Sequence, residues 1–215
     1  ITGSADGKAR LWDIESGVVV QTYSGQTGSV NSLTFSPDGA QVLTGCSDAS
    51  VKMWNTDNGL EIRTFTGHSN NVSTMAFSPD GKLILTGSED GTANLWDVES
   101  GIAIRTFSGH RGGATSVAFS PDGTRILTGS FERAKMWDVE SGAEIWTFQA
   151  GWVSSLAFSP DGKLVLTGSM DGTVKMWEVE TGEEIQAFEA HIEVSSVAFS
   201  PDGTRILTGG IWDSS

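Results

Sequence analysis

The chain has 215 residues and carries 13 Lys and Arg against 27 Asp and Glu, a formal net charge of −14. That balance disfavours nucleic acid, whose binders neutralise phosphates, and anionic membranes repel it. No uncharged apolar run is long enough to span a bilayer and no basic segment leads a short apolar one, so neither a span nor a signal peptide is expected and the cytoplasm is the default location.

The tetrapeptide Ser-Pro-Asp-Gly begins at Ser36, Ser78, Ser120, Ser159 and Ser200, at separations of 42, 42, 39 and 41 residues. A second series runs in phase: Trp12-Asp13, Trp54-Asn55, Trp96-Asp97, Trp137-Asp138, Trp177-Glu178 and Trp212-Asp213. A period of roughly 40 residues marks one supersecondary unit stacked on copies of itself, so one domain is expected over 1–215. In chain order there is a partial unit over 1–23, opening near the end of a second strand at Ile1-Thr2. Four full units follow over about 30–65, 72–107, 114–148 and 152–188, and a partial unit covers 193–213 with an inner pair from Val194 to Thr208. Within the copy from Asn71 to His110, strands are predicted over Val72 to Phe77, Leu83 to Thr86, Ala93 to Trp96 and Ile102 to Phe107. Each is short and rich in β-branched, aromatic or alternating apolar residues. The turns between them hold Pro, Asp and Gly, which preset φ, bond their own backbone and accept φ above zero. The last copy is short: Gly209 to Trp212 is a step of three where Gly168 to Trp177 is a step of nine. Cys46, the one cysteine, excludes an intrachain disulfide and stands where other copies carry Ser88, Ser130 and Ser169, which marks it as a small structural residue.

Gly67-His68, the turn from Ser78 to Gly81, Leu85-Thr86-Gly87-Ser88, Asp90-Gly91-Thr92 and Leu95-Trp96-Asp97 together resemble a WD40 (Trp-Asp) repeat. The resemblance covers essentially the whole chain. It implies an all-β fold, a β-propeller whose blades are four-stranded antiparallel sheets, with about five blade-equivalents here. Either strands from both termini close the ring, the final inner pair accepting Ala9 to Tyr23, or the chain is an arc of a larger propeller. The resemblance also implies a buried hydrogen-bond chain of His68, Thr86, Asp90 and Trp96. Only that blade has all four members. His110, Thr128 and Trp137 lack the Asp; Thr44, Asp48 and Trp54 have Gln26 in place of His; Thr167, Asp171 and Trp177 lack the His; and His191 and Thr208 lack the Asp.

A hydroxyl, an imidazole and a carboxylate also make a hydrolase triad. Here the hydroxyl belongs to a β-branched Thr inside a strand, with no strained elbow or oxyanion motif beside it, so no catalytic residue is expected. The three histidines lack the spacing of a shared metal site, and the Asp-Gly turns lack a calcium loop's dense carboxylates. No Walker-type or Gly-x-Gly-x-x-Gly loop occurs, so no cofactor is expected either.

In a repeat scaffold the frame residues are committed to packing, and recognition falls to the positions that vary. Two places after each Thr-Gly the chain reads Ala5, Ser47, Glu89, Phe131 and Met170, and Trp152 falls at the same end, aligned with Ser29, Asn71, Gly113 and Glu193. Phe131, Trp152 and Met170 should therefore cluster at one rim, with Arg111 and Arg133 nearby. Such a patch suits a protein or peptide partner; the competing expectation is that shortened loops tuck these side chains inward. Trp146, where other copies carry Gln21, Arg63, Arg105 and Gln186, is a second contact or an edge protected by another chain. The expected function is a noncatalytic scaffold presenting a propeller face, on its own or as one module of a longer chain. The alternatives are a self-assembling, designed or recently amplified array that forms a homo-oligomer, and a propeller enzyme or sugar-binding protein, which needs a polar cluster at the central pore.

Overall fold

Each Ser-Pro-Asp-Gly closes on itself. In the first, the Gly39 N–H donates to the Ser36 carbonyl at 2.9 Å, the Ser36 hydroxyl donates to Asp38, and Asp38 accepts the Ala40 N–H at 3.0 Å. Gly39 sits at φ 73°, where an L side chain is strained, and the equivalent glycines of the other four turns lie at 70–73°. The same turn thus joins the first two strands of every unit.

A computed structural model of the chain describes residues 1–190 and 193–211; the expected His191 and the Trp212-Asp213 pair lie outside the described residues. The fold is all-β, in two compact units, Ile1–Ser108 and Gly109–Ser215. In the first unit, β1 (Thr2–Gly3), β2 (Lys8–Trp12) and β3 (Val19–Ser24) form a three-stranded sheet. It is followed by β4 (Val30–Phe35), β5 (Gln41–Cys46), β6 (Val51–Asn55) and β7 (Glu61–Phe65), and by β8 (Val72–Phe77), β9 (Leu83–Ser88), β10 (Ala93–Asp97) and β11 (Ala103–Phe107), each set a four-stranded meander. In the second unit, β12 (Ser116–Phe119), β13 (Arg125–Gly129), β14 (Ala134–Asp138) and β15 (Glu144–Phe148) form one such sheet. The strands β16 (Val153–Phe158), β17 (Leu164–Ser169), β18 (Thr173–Glu178) and β19 (Glu184–Glu189) form another, and β20 (Glu193–Phe199) pairs with β21 (Ile206–Ile211). All pairings are antiparallel. The second strand runs two residues further than the sequence predicts, to Ser88, because it stays in register with β10 as far as Gly87 opposite Ala93. The outer strand starts one residue later, at Ala103, because the Ile102 carbonyl closes the preceding turn on the Asp97 N–H.

Two devices join neighbouring sheets within a unit. The second strand carries a glycine where the next sheet's inner strand presses in: a Cβ at Gly129 would lie 2.6 Å from Val153 and 3.2 Å from Leu156, and at Gly45 2.8 Å from Val72. The third strand carries the Trp, and a bulge in its pairing with the outer strand falls at that residue in five sheets. The indole then packs on an aromatic of the preceding outer strand: Trp54 on Tyr23, Trp96 on Phe65 and Trp177 on Phe148, with centroids 5.9, 5.8 and 5.2 Å apart.

Candidate functional site

Loops from outer to inner strands and turns from second to third strands lie at one end of each sheet. The Ser29 carbonyl accepts the Ser47 N–H, the Asn71 carbonyl the Glu89 N–H, and the Trp152 carbonyl the Met170 N–H, at 2.9–3.0 Å. The buried polar chain runs beneath this end. Trp96 Nε1 donates to Thr86 Oγ1 at 2.9 Å, His68 Nε2 lies 2.7 Å from the same oxygen, and His68 Nδ1 lies 2.9 Å from Asp90 Oδ2. A carboxylate only accepts, so Nδ1 carries the proton and Nε2 accepts the Thr86 hydroxyl. Burial pushes the Asp90 carboxyl up, but hydrogen bonds from Thr92, the Ser69 N–H and His68 outweigh it and hold the group below the usual carboxylate range. Thr86 is fully buried and committed at both ends of its hydroxyl. Thr86→Val keeps the shape and strands an indole N–H and an imidazole nitrogen, so a loss of about 2 kcal/mol in denaturant unfolding is expected; an unchanged midpoint would contradict this role.

The Trp-to-Thr bond recurs as Trp12 to Thr2, Trp54 to Thr44, Trp137 to Thr128 and Trp177 to Thr167, at 2.8–3.0 Å. What sits beyond the Thr varies. Gln26 Nε2 donates to Thr44 at 2.8 Å, and its Oε1 is buried with no partner; Asp48 is instead engaged by the N–H and hydroxyl of Thr27. His110 Nε2 meets Thr128 at 2.6 Å, while its Nδ1 is buried with no partner because this copy has no Asp. Burial, then the positive charge of Lys135, pushes the His110 imidazole down to about 4. Among the described residues no group of three or more His, Cys, Asp and Glu could hold a metal ion.

The missing Asp and the rim have one origin. The turn after β13 is a residue shorter than its counterparts, closing from the Ser130 N–H to the Arg133 carbonyl at 3.0 Å where Ser88 reaches Thr92. Phe131 is left projecting at that end. The Ser130 carbonyl also accepts the Val153 N–H at 2.9 Å, which sets Trp152 beside Phe131. The two rings meet edge to face at 4.5 Å and remain 40% and 46% exposed. Phe131 also covers Gly112, where a Cβ would lie 1.8 Å from the ring. Met170 joins through its backbone bond to Trp152 and is half-buried. Arg111 and Arg133 both reach the Glu132 carboxylate, at 3.5 and 3.3 Å. The expected rim residues are thus neighbours, and Phe131 is partly tucked and partly open.

Residues 29–215 match the family model of the IFT122 first β-propeller. The chain belongs to that family. No curated protein matches it.

As a member of the IFT122 first β-propeller family, the chain has blades for sheets, and within each unit their outer edges are clasped by residues whose role the sequence does not disclose. Arg63 donates to the Glu99 and Ser100 carbonyls at 2.8 and 2.9 Å and lies over Gly101. Trp146, expected as a partner contact or a protected edge, is used inside the chain: its Nε1 donates to the Val179 carbonyl at 3.1 Å and its ring lies over Gly182. Lysines two residues before three of the Trp stack on their indoles and pair with a Glu nine residues on: Lys52 with Glu61, Lys135 with Glu144, Lys175 with Glu184. That nine-residue spacing is the signal that could have found them. Cys46 is buried, which pushes its thiol up to about 11 and keeps it protonated at neutral pH.

Proposed function

We propose that this chain is a noncatalytic WD40-repeat propeller, one domain over 1–215, that presents its loop end to a protein or peptide partner through Phe131, Trp152, Met170, Arg111 and Arg133. The observation that carries this is the Phe131–Trp152 pair: two large rings in contact yet each about two-fifths or more exposed, supplied by neighbouring blades at the end where the repeat pattern breaks. Aromatic residues of this kind dominate binding energy where they are buried on association. The repeated frame has its polar groups committed to packing, with Thr86, Thr128 and Thr167 bonded and buried, so the reactive hydroxyl of a hydrolase has no candidate among them. Membership of a propeller family supports the same reading.

The test is affinity capture from lysate with the wild type, Phe131→Ala and Trp152→Ala, quantified by mass spectrometry. A protein held by the wild type should fall by about tenfold or more with each variant while the melting temperature stays within a few degrees. Equal capture by all three proteins contradicts the assignment.

A further inference from the structure

We propose that Asn58 is a self-modification site, at which the Gly59 main-chain nitrogen closes on the Asn58 carboxamide to form a succinimide that water opens to aspartate or isoaspartate.

The chain has six asparagines, and Asn58 alone precedes a glycine; the others precede Ser32, Thr56, Asn71, Val72 and Leu95. A side chain on the following residue crowds its own nitrogen, and glycine removes that obstacle. The turn from third to outer strand carries Ser16, Ser100, Ser141 and Thr181 in the other copies, so the reaction is confined to this one. Asn58 is exposed, and its Oδ1 accepts the Leu60 N–H at 2.9 Å, which lays the carboxamide across the Gly59 peptide and polarises its carbon. Two bonds to Asn55 restrain the step: the Gly59 N–H donates to its carbonyl and the Asn58 N–H to its Oδ1, both at 3.0 Å. Conversion therefore waits on local opening of an exposed turn.

In the step a base takes the Gly59 N–H proton, the bond from nitrogen to Asn58 Cγ forms, and the Cγ–Nδ2 bond breaks, with Nδ2 gaining a proton and leaving as ammonia. Water then adds to one ring carbonyl. Addition at Cγ gives aspartate, and addition at the main-chain carbon gives isoaspartate, with the chain running through the side chain. One water is consumed, one ammonia is released and nothing is oxidised or reduced.

The eight Asp-Gly pairs do not compete at neutral pH, because an ionised carboxylate is a poor electrophile. Hydroxyls of the preceding serines hold Asp38, Asp80, Asp122, Asp161 and Asp202 below the usual carboxylate range, and Arg10 does so for Asp6. At Asp90 and Asp171 burial pushes the carboxyl up, but hydrogen bonds led by Thr92 and Thr173 outweigh it. The product bears on the fold as well. Gly59 sits at φ 70° beneath the Gln21 side chain of the preceding blade, and isoaspartate adds a main-chain carbon to the turn that holds it there.

The test incubates the full chain at about pH 7 and about pH 8, cleaves after Lys52 and Arg63, and reads peptide 53–63 by tandem mass spectrometry against an unincubated sample. Asn55, in the same peptide, is the internal control. Acid at position 58 should accumulate at least about tenfold faster than at 55, as both aspartate and isoaspartate, and about tenfold faster at the higher pH. Asn58→Ser, the residue of three other copies, should abolish the gain with the melting temperature unchanged. Asn55→Ala, which removes the Oδ1 restraint, should speed it by about threefold. No acid at position 58 in the folded chain, conversion equal to that at Asn55, or a rate indifferent to pH overturns the proposal.

Discussion

Replacing Trp96 by alanine is expected to lower the unfolding free energy by about 3–5 kcal/mol, the range for deleting a fully buried large aromatic. Three losses coincide there. The indole is 2% exposed and packs in one cluster with Leu43, Val51, Met53, Phe65, Val72, Met75 and Ile84, so its removal opens a cavity between two blades. Phe65, 5.8 Å away at near-perpendicular tilt, loses its partner across the blade boundary. Thr86 Oγ1 loses the indole N–H, leaving a buried oxygen with one fewer donor. Urea unfolding followed by circular dichroism should show a lower midpoint at nearly constant slope. Trp12→Ala is the control: the same bond to Thr2 exists, but the ring is 42% exposed, so a loss of about 1–2 kcal/mol is expected. Equal effects at both positions would contradict the view that the blade-to-blade contact, rather than the Trp-Thr bond alone, makes this residue matter.

The second large effect is a pH dependence seated at His110. In the unfolded chain this imidazole titrates near 6.5, and in the folded protein burial and the nearby Lys135 and Arg133 hold it down to about 4, with Glu144 the one opposing charge. Above pH 6.5 both states are neutral and stability is complete. Between 6.5 and 4 the unfolded chain takes up a proton that the folded one refuses, so stability falls with pH, by about 3 kcal/mol across the window. Below about 4 both states are protonated and this loss stops. The turn aspartates then take over: the Ser78, Ser120 and Ser159 hydroxyls hold Asp80, Asp122 and Asp161 below the usual carboxylate range, so their contribution is present above about 3.8 and lost as pH falls further. His110→Gln separates the two effects. Glutamine reaches the Thr hydroxyl, as Gln26 does for Thr44, and does not titrate. Its melting temperature should be nearly flat from pH 6.5 to about 5, where the wild type already declines, and fall below that only as Glu61 and Glu144, both held below their ordinary value, begin to take up protons in the unfolded chain; parallel curves would contradict the assignment.

The blade frame was legible in the sequence because it is repeated. Five Ser-Pro-Asp-Gly turns give the same left-handed glycine each time, and the Thr and Trp that bond across adjacent strands stand ten residues apart in four blades and nine in the fourth copy, where the turn has lost a residue. That single deletion also pointed to Phe131 and to the missing Asp partner of His110. What stayed hidden depends on contacts between copies. Trp146 reads as an outward-facing residue on its own strand, and its burial on Gly182 follows only when the next blade's turn is placed against it. The unpaired Gln26 Oε1 is likewise invisible in the sequence: the amide donates to Thr44, and its oxygen is buried with no donor beside it, which only the packed structure shows.

The central claim is that recognition falls where the repeat breaks, while the repeated frame is committed to holding blades together. Hydrogen–deuterium exchange of the full chain, alone and with the captured protein whose retention depends on Trp152, tests it most directly. Protection gained in segments 110–113, 130–133, 151–153 and 169–171 is the expected footprint. Protection gained along the outer strands β3, β7 and β11, with those four segments unchanged, would contradict it.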